Sequence, residues 1–62
     1  MINETVEVVD VQGVQVAQFQ LSVEMGGVAM TFNGVWHSPA LLDQYALHLL
    51  AMAQTLRDAG VS

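Results

Sequence analysis

The segment from Ala17 to Met25 alternates without interruption. Ala17, Phe19, Leu21, Val23 and Met25 are apolar, and the intervening Gln18, Gln20, Ser22 and Glu24 are polar. A period of two with one clean apolar face describes a strand lying half buried on a sheet. Gly26-Gly27 follows and offers the two positive-φ positions of a tight hairpin turn. Folding the chain there sets Met25 opposite Val28, Val23 opposite Met30, Leu21 opposite Phe32, Phe19 opposite Gly34 and Ala17 opposite Trp36. Every one of these positions is apolar or glycine. A one-residue slip would turn the whole set to the other face, so the pattern predicts this register. Phe19 would then cover the bare backbone of Gly34. Asn33-Gly34 is itself a turn signal, but too few residues follow it before Ser38-Pro39 for a return strand. It reads as a twist or bulge inside the third strand.

The upstream run VEVVDVQGVQV predicts a second hairpin with Gln12-Gly13 at its tip. Its register sets Val11 opposite Val14, Val9 opposite Val16, Val8 opposite Ala17 and Val6 opposite Phe19. Val6 and Val8 then join the core face. Val9, Val11, Val14 and Val16 fall on the opposite face, where nothing in the chain is left to cover them. Exposed apolar clusters of this kind mark interfaces.

Ser38-Pro39 is a helix start. The serine side chain accepts from an orphan N–H, and proline at the first helical position gives up no bond. The run from Ala40 to Ala59 is rich in Ala and Leu with no breaker, and Gly60 is placed as its C-cap, with Arg57 in the last turn near the negative end of the dipole. At about 100° per residue, Leu41, Leu42, Tyr45, Ala46, Leu49, Leu50, Met52, Ala53 and Leu56 cover roughly half the helix circumference. That arc is wider than a three-stranded sheet needs. Leu47 lies outside it, on the polar side with Asp43, Gln54 and Asp58.

The expected fold is therefore α+β: a single domain spanning 1–62, with a three-stranded antiparallel β-meander (strands about 4–11, 14–25 and 28–36) and one C-terminal helix (about 39–59) packed on one sheet face. The face carrying Phe19, Leu21, Val23, Met30, Phe32 and Trp36 is expected to meet the helix. Trp36 would fill the corner where sheet passes into helix, and its truncation would then cost about 3–5 kcal/mol.

Such a chain struggles to bury itself. A domain of 62 residues hides only about 60% of the surface exposed on unfolding, and small domains recover stability through disulfides, metals or oligomerisation. There are no cysteines, which excludes disulfides and thiolate metal sites. Hydrophobic residues make up 53% and charged residues 11%, against about 25% charged in ordinary domains. This balance points to a homodimer or higher homo-oligomer. The formal charge is −5, with Arg57 the only basic side chain besides the histidines. Binding to nucleic acid or to an anionic membrane is not expected, because phosphates need clustered Lys or Arg. MINETVEVVD lacks the basic and apolar regions of a signal peptide, and ALLDQYALHLLAMA is interrupted and too short to span a bilayer. A cytoplasmic location is expected.

Reactive groups are sparse. His37 and Ser38 are adjacent, but the serine is committed to capping and adjacency does not make a triad. Asp43 and His48 are five apart and do not share a helical face. His37 and His48 lack a third ligand at metal-binding spacing. Glu4, Glu7, Asp10 and Glu24 read as solubilising charge and edge protection. Met30 and Met52 read as core, and Gly26-Gly27 lacks the Lys, the Ser/Thr and the helix of a phosphate loop. No catalytic residue, cofactor or metal is expected. The candidate site is an interface of Val9, Val11, Val14, Val16 and Leu47.

The segment GVWHSPALLDQYALHLLAMAQTLRDAG resembles a pattern found in small uncharacterised proteins of actinobacteria and their bacteriophages. In these, a strand ending in an aromatic is followed by a Ser/Thr-Pro cap and an Ala/Leu-rich closing helix. Trp36, Ser38, Pro39 and the helix from Ala40 to Ala59 carry the likeness, roughly the C-terminal half. The acidic residue usual soon after the proline is absent at Ala40 and Leu41, and the helix carries fewer charges than is typical. The resemblance implies a small orphan protein and carries no activity with it. Together these features suggest a non-enzymatic interaction module that binds and modulates an unidentified protein, a host protein if the chain is of phage origin. An acidic decoy for a nucleic-acid-binding protein is the alternative.

Overall fold

The structure, a computed structural model, describes residues 3–62. The leader reading rests partly on Met1 and Ile2, which lie outside that range. The elements are β1 (Asn3–Val9), β2 (Gln15–Ser22), β3 (Gly27–Phe32) and α1 (Pro39–Asp58). The three strands form one antiparallel sheet in the order β1-β2-β3. The architecture is the β-meander followed by a single helix that the alternation and the Ser-Pro boundary predict. All three strands end earlier than expected, and the reason lies in their turns.

Both hairpins are closed by one left-handed glycine at the end of a four-residue turn. In the first, the Gly13 N–H donates to the Asp10 carbonyl at 3.0 Å, with Gly13 at φ 83°. Asp10 Oδ1 accepts from the N–H groups of Gln12 at 2.8 Å and Val14 at 3.0 Å, which holds the turn from inside. In the second, the Gly26 N–H donates to the carbonyls of Ser22 at 2.9 Å and Val23 at 3.1 Å, with Gly26 at φ 73°. Ser22 Oγ accepts from Met25 N–H at 3.2 Å. Only Gly26 of the Gly26-Gly27 pair takes positive φ, so the two-residue turn does not form. Val23, Glu24, Met25 and Gly26 make the loop instead.

The register of β2 with β3 moves by four residues as a consequence. Leu21 pairs with Val28, Phe19 with Met30 and Ala17 with Phe32, rather than with Phe32, Gly34 and Trp36. A shift of four is even, so every side chain keeps its expected face. What changes is where the sheet runs out. The Asn33 N–H still donates to the Val16 carbonyl at 2.9 Å, but Asn33-Gly34 lies beyond β3 rather than as a bulge within it. Trp36 is carried past the sheet and is 100% exposed. Its expected place in the core is not borne out, and Met30 and Phe32 are likewise only half covered.

The first hairpin keeps the expected pairs Val6–Phe19 and Val8–Ala17, then slips: Val9 faces Gln15, and Val16 becomes the extra residue of a bulge. Two successive residues of a bulged strand oppose one partner, and the alternation breaks there. Val16 and Ala17 are both buried, Val16 at 2% exposure. Val16 therefore belongs to the core and not to the outer valine face, and the expected Val11–Val14 pair is replaced by the turn.

The helix starts and stops as the sequence indicates. Ser38 Oγ accepts from Leu41 N–H at 3.3 Å, with Pro39 as the first helical residue. At the other end Gly60, at φ 91°, donates to Arg57 O and Val61 donates to Leu56 O, both at 2.9 Å. These two bonds make a Schellman closure. The helix lays Tyr45 and Met52 on Val8, Val16, Ala17, Phe19 and Leu21, with Leu41, Leu49 and Leu56 packed at the margin. Leu42 and Leu50, expected in the contact face, are exposed. Three strands cover a narrower arc of helix than the apolar residues occupy.

Phe19, fully buried at 0% exposure, and Trp36 respond differently to truncation. Phe19→Ala is expected to lose about 3–5 kcal/mol, enough to unfold most of so small a domain. Trp36→Ala is expected to stay within about 0.5 kcal/mol of the parent. Paired thermal melts check both, and a melt lowered equally by the two changes would return Trp36 to the core.

Candidate functional site

In the connection between β3 and α1, His37 is partly buried and ties that connection to the helix. His37 Nδ1 lies 2.7 Å from the Tyr45 hydroxyl, and His37 Nε2 lies 3.0 Å from the Asn33 carbonyl. A carbonyl only accepts, so Nε2 carries the proton and donates. In the neutral ring Nδ1 then accepts from the Tyr45 hydroxyl. Both nitrogens are thus engaged, and His37 is a clasp between the end of β3 and the first turns of α1. His37 is one of four rings in an edge-to-face cluster: Phe19 meets Phe32 and Tyr45, Phe32 meets Tyr45 and His37, and His37 meets Tyr45, with centroids 5.5–5.9 Å apart. Ser38 serves its helix cap, so no nucleophile–base pair forms with His37. Among the described residues no three His, Cys, Asp or Glu side chains gather to hold a metal ion. No helix there is long and apolar enough to cross a membrane.

Of the valine candidates, Val9, Val11 and Val14 are exposed near the first hairpin tip, and Val16 is not. Val9 and Val11 join Asp10 along one wall of an open groove of about 240 Å³, whose other wall is Ser38, Ala40, Leu41 and Gln44. Val35 and Trp36, in the connection into α1, are exposed as well. Leu47 is exposed as expected but stands roughly 120° round the helix from Leu41 of the groove. The five candidate residues therefore do not form one patch. Leu47 lies about 60° round the helix from Leu50, on the side away from Tyr45 and the sheet, and Met30 and Phe32 of β3 are half exposed. The sequence pattern puts Leu42, Leu50, Met30, Phe32 and Trp36 on the core face, and all five are exposed. The excess width of the helical arc was the clue that some of them had nowhere to go.

Comparison of the chain with protein-family models, with curated proteins and with solved structures finds no match.

Burial raises the Tyr45 phenol above its ordinary 10.0. A group whose folded value is raised stabilises the fold below the unfolded value and loses that contribution as pH climbs through the folded one. Tyr45 is the only tyrosine, so phenolate absorbance reads it alone. The titration midpoint is expected above 10.0 in the folded protein and is expected to return to that value in denaturant. Tyr45→Phe removes one hydrogen bond and is expected to cost about 0.5–1.5 kcal/mol. Its melting temperature should also fall less steeply at high pH. A parent midpoint identical in buffer and denaturant would contradict this.

Proposed function

We propose that this chain is a small non-enzymatic interaction protein that works as a homo-oligomer, most simply a twofold dimer, and binds another protein. The observation that carries the reading is surplus surface. The chain exposes 4422 Å², where a compact monomer of its mass would expose about 3,900 Å². Its radius of gyration is 12.4 Å, against about 10.5 Å for a compact chain of this length. Large apolar side chains supply much of that surface, in two places: the hairpin-tip end with Val9, Val11, Val14, Val35 and Trp36, and the margin between β3 and α1. One such surface suits self-association, which leaves the other for a partner of different kind. Trp36 is suited to anchor that partner, since tryptophan is enriched among residues that dominate binding energy.

A role in modulating a host protein, as an accessory or phage protein, draws only on the resemblance of the C-terminal half to small proteins of actinobacteria and their phages. The acidic-decoy alternative has less in its favour. Glu4 and Glu7 are an odd number of positions apart on β1 and so face opposite ways, while Asp10 and Glu24 sit in turns at opposite ends of β2. Acids so dispersed make a poor phosphate mimic.

Sedimentation velocity at micromolar concentration is expected to show a species heavier than 6.7 kDa. A single 6.7 kDa boundary throughout that range would remove the homo-oligomeric part. With almost no counterion release available, DNA and RNA are expected to give no anisotropy change at physiological salt. A saturable, steeply salt-dependent change would reverse that expectation.

A further inference from the structure

We propose that two copies of the chain meet about a twofold axis passing beside Met30 and Leu50. In this arrangement β3 pairs antiparallel with β3 of the second copy, and α1 runs antiparallel beside its mate. The proposal rests on the homo-oligomeric reading above and specifies which surface serves it.

The strand comes first. β3 has β2 on one side only. Edge strands that remain free are normally guarded by charge, proline or a bulge. β1, the other edge, carries Glu4 and Glu7, whereas β3 reads GVAMTF, with no charge and no proline. Antiparallel pairing of this strand with its own copy, centred on Met30, sets Phe32 opposite Val28 and Thr31 opposite Ala29. The core-facing residues Val28, Met30 and Phe32 then extend one continuous apolar face across both copies.

The helix supplies an independent match. Tyr45 faces the sheet, and at about 100° per residue Gln44 and Ala40 lie on one flank and Leu42, Leu49 and Leu50 on the other. Gln44 and Ala40 line the groove against the β1 end, so Leu42 and Leu49 lie on the β3 side, with Leu50 above them about 140° from Tyr45. Leu50 is 67% exposed there. Seven residues before it stands Asp43 and seven after it stands Arg57, the only Lys or Arg in the chain. No acid lies three or four residues from Arg57 to pair with it along the helix. Two such helices placed antiparallel about Leu50 bring Asp43 of each opposite Arg57 of the other. Ala46 and Ala53 between them leave room for close approach. A surface self-complementary in charge about one apolar residue fits a second copy better than it fits an unrelated partner.

The two matches share one axis. Tyr45 stacks on Phe32 at 5.5 Å, and a Cβ placed on Gly26 would lie 3.7 Å from Val61. Helix and strand therefore run side by side in opposite directions between those two points. From these contacts Leu50 stands five helical residues beyond Tyr45, a rise of about 7.5 Å, and Met30 stands two strand residues back from Phe32, about 7 Å. Leu50 then falls level with Met30, so the axis that pairs the strands also pairs the helices.

Charge reversal tests this on the full chain, because Asp43 and Arg57 are both exposed. Asp43→Arg and Arg57→Asp each turn two attractive contacts per dimer into repulsive ones, and each variant alone is expected to dissociate roughly tenfold more readily. Mixing the two variants restores both contacts, and the mixture is expected to associate as tightly as the parent. Leu50→Glu is expected to weaken association at least about thirtyfold with an unchanged circular dichroism spectrum. If the parent associates but the three variants associate equally well, the copies meet elsewhere and only this interface falls. If each charge variant is weakened but their mixture is not restored, the Asp43–Arg57 pairing is wrong and the axis with it. A parent that remains monomeric removes the homo-oligomeric reading itself.

Discussion

The ring of Phe19 is the point on which the structure depends. It lies at the centre of the middle strand and makes edge-to-face contacts with Phe32 of β3 and Tyr45 of α1. Its backbone pairs with Val6 of β1 and Met30 of β3. Every element of the chain thus converges on one side chain. Among the described residues seven are buried and all belong to this one cluster, so no second cluster there holds the helix to the sheet independently. The His37 clasp acts at the same place, since it fixes the ring of Tyr45 that closes over Phe19. A small domain without disulfides concentrates its cooperativity in such a cluster, and the packing of the margins matters correspondingly less.

How far the fold is legible in the sequence follows from which interactions are local. The helix limits are written in Ser38-Pro39 and Gly60, because capping is settled within one turn of chain. The strand faces are written in the alternation from Ala17 to Leu21, and they survive even where the register is wrong. The register depends on the turn. Gly26-Gly27 suits a two-residue turn, yet a single left-handed Gly26 preceded by Ser22 closes a longer loop with the same residues. The second solution satisfies Ser22 Oγ and two backbone carbonyls, and nothing in the dipeptide alone distinguishes it. The first hairpin follows a parallel scheme with Asp10 and Gly13, so a small polar residue three or four positions before glycine was the better indication.

The candidate surface was legible in quantity but not in place. The composition and the wide helical arc announced apolar residues beyond what one sheet face can cover. The alternation assigned that surplus to an outer valine face, because a regular strand puts Val16 on the same side as Val14. A bulge is invisible to a period-two pattern, and it turned Val16 inward. Trp36 moved the opposite way for a related reason. Four residues absorbed into the second turn are four residues by which the third strand outruns its partner, and Trp36 lies in the part left over.

The two exposed surfaces are set apart by the direction of the strands. Val11 and Trp36 lie toward the end of the sheet where α1 begins, and the β3 edge lies along its side. A twofold axis perpendicular to β3 reverses the strand direction between copies. A dimer built on that edge therefore carries its two hairpin tips at opposite ends of a six-stranded sheet, each with its own Trp36 and groove. Neither tip is covered by the pairing, and neither can reach the other. An assembly of this shape presents two equal apolar ends joined by a rigid sheet. Partner binding at one end would then leave the other free for a second partner, and the spacing between them would be set by strand length rather than by a flexible linker.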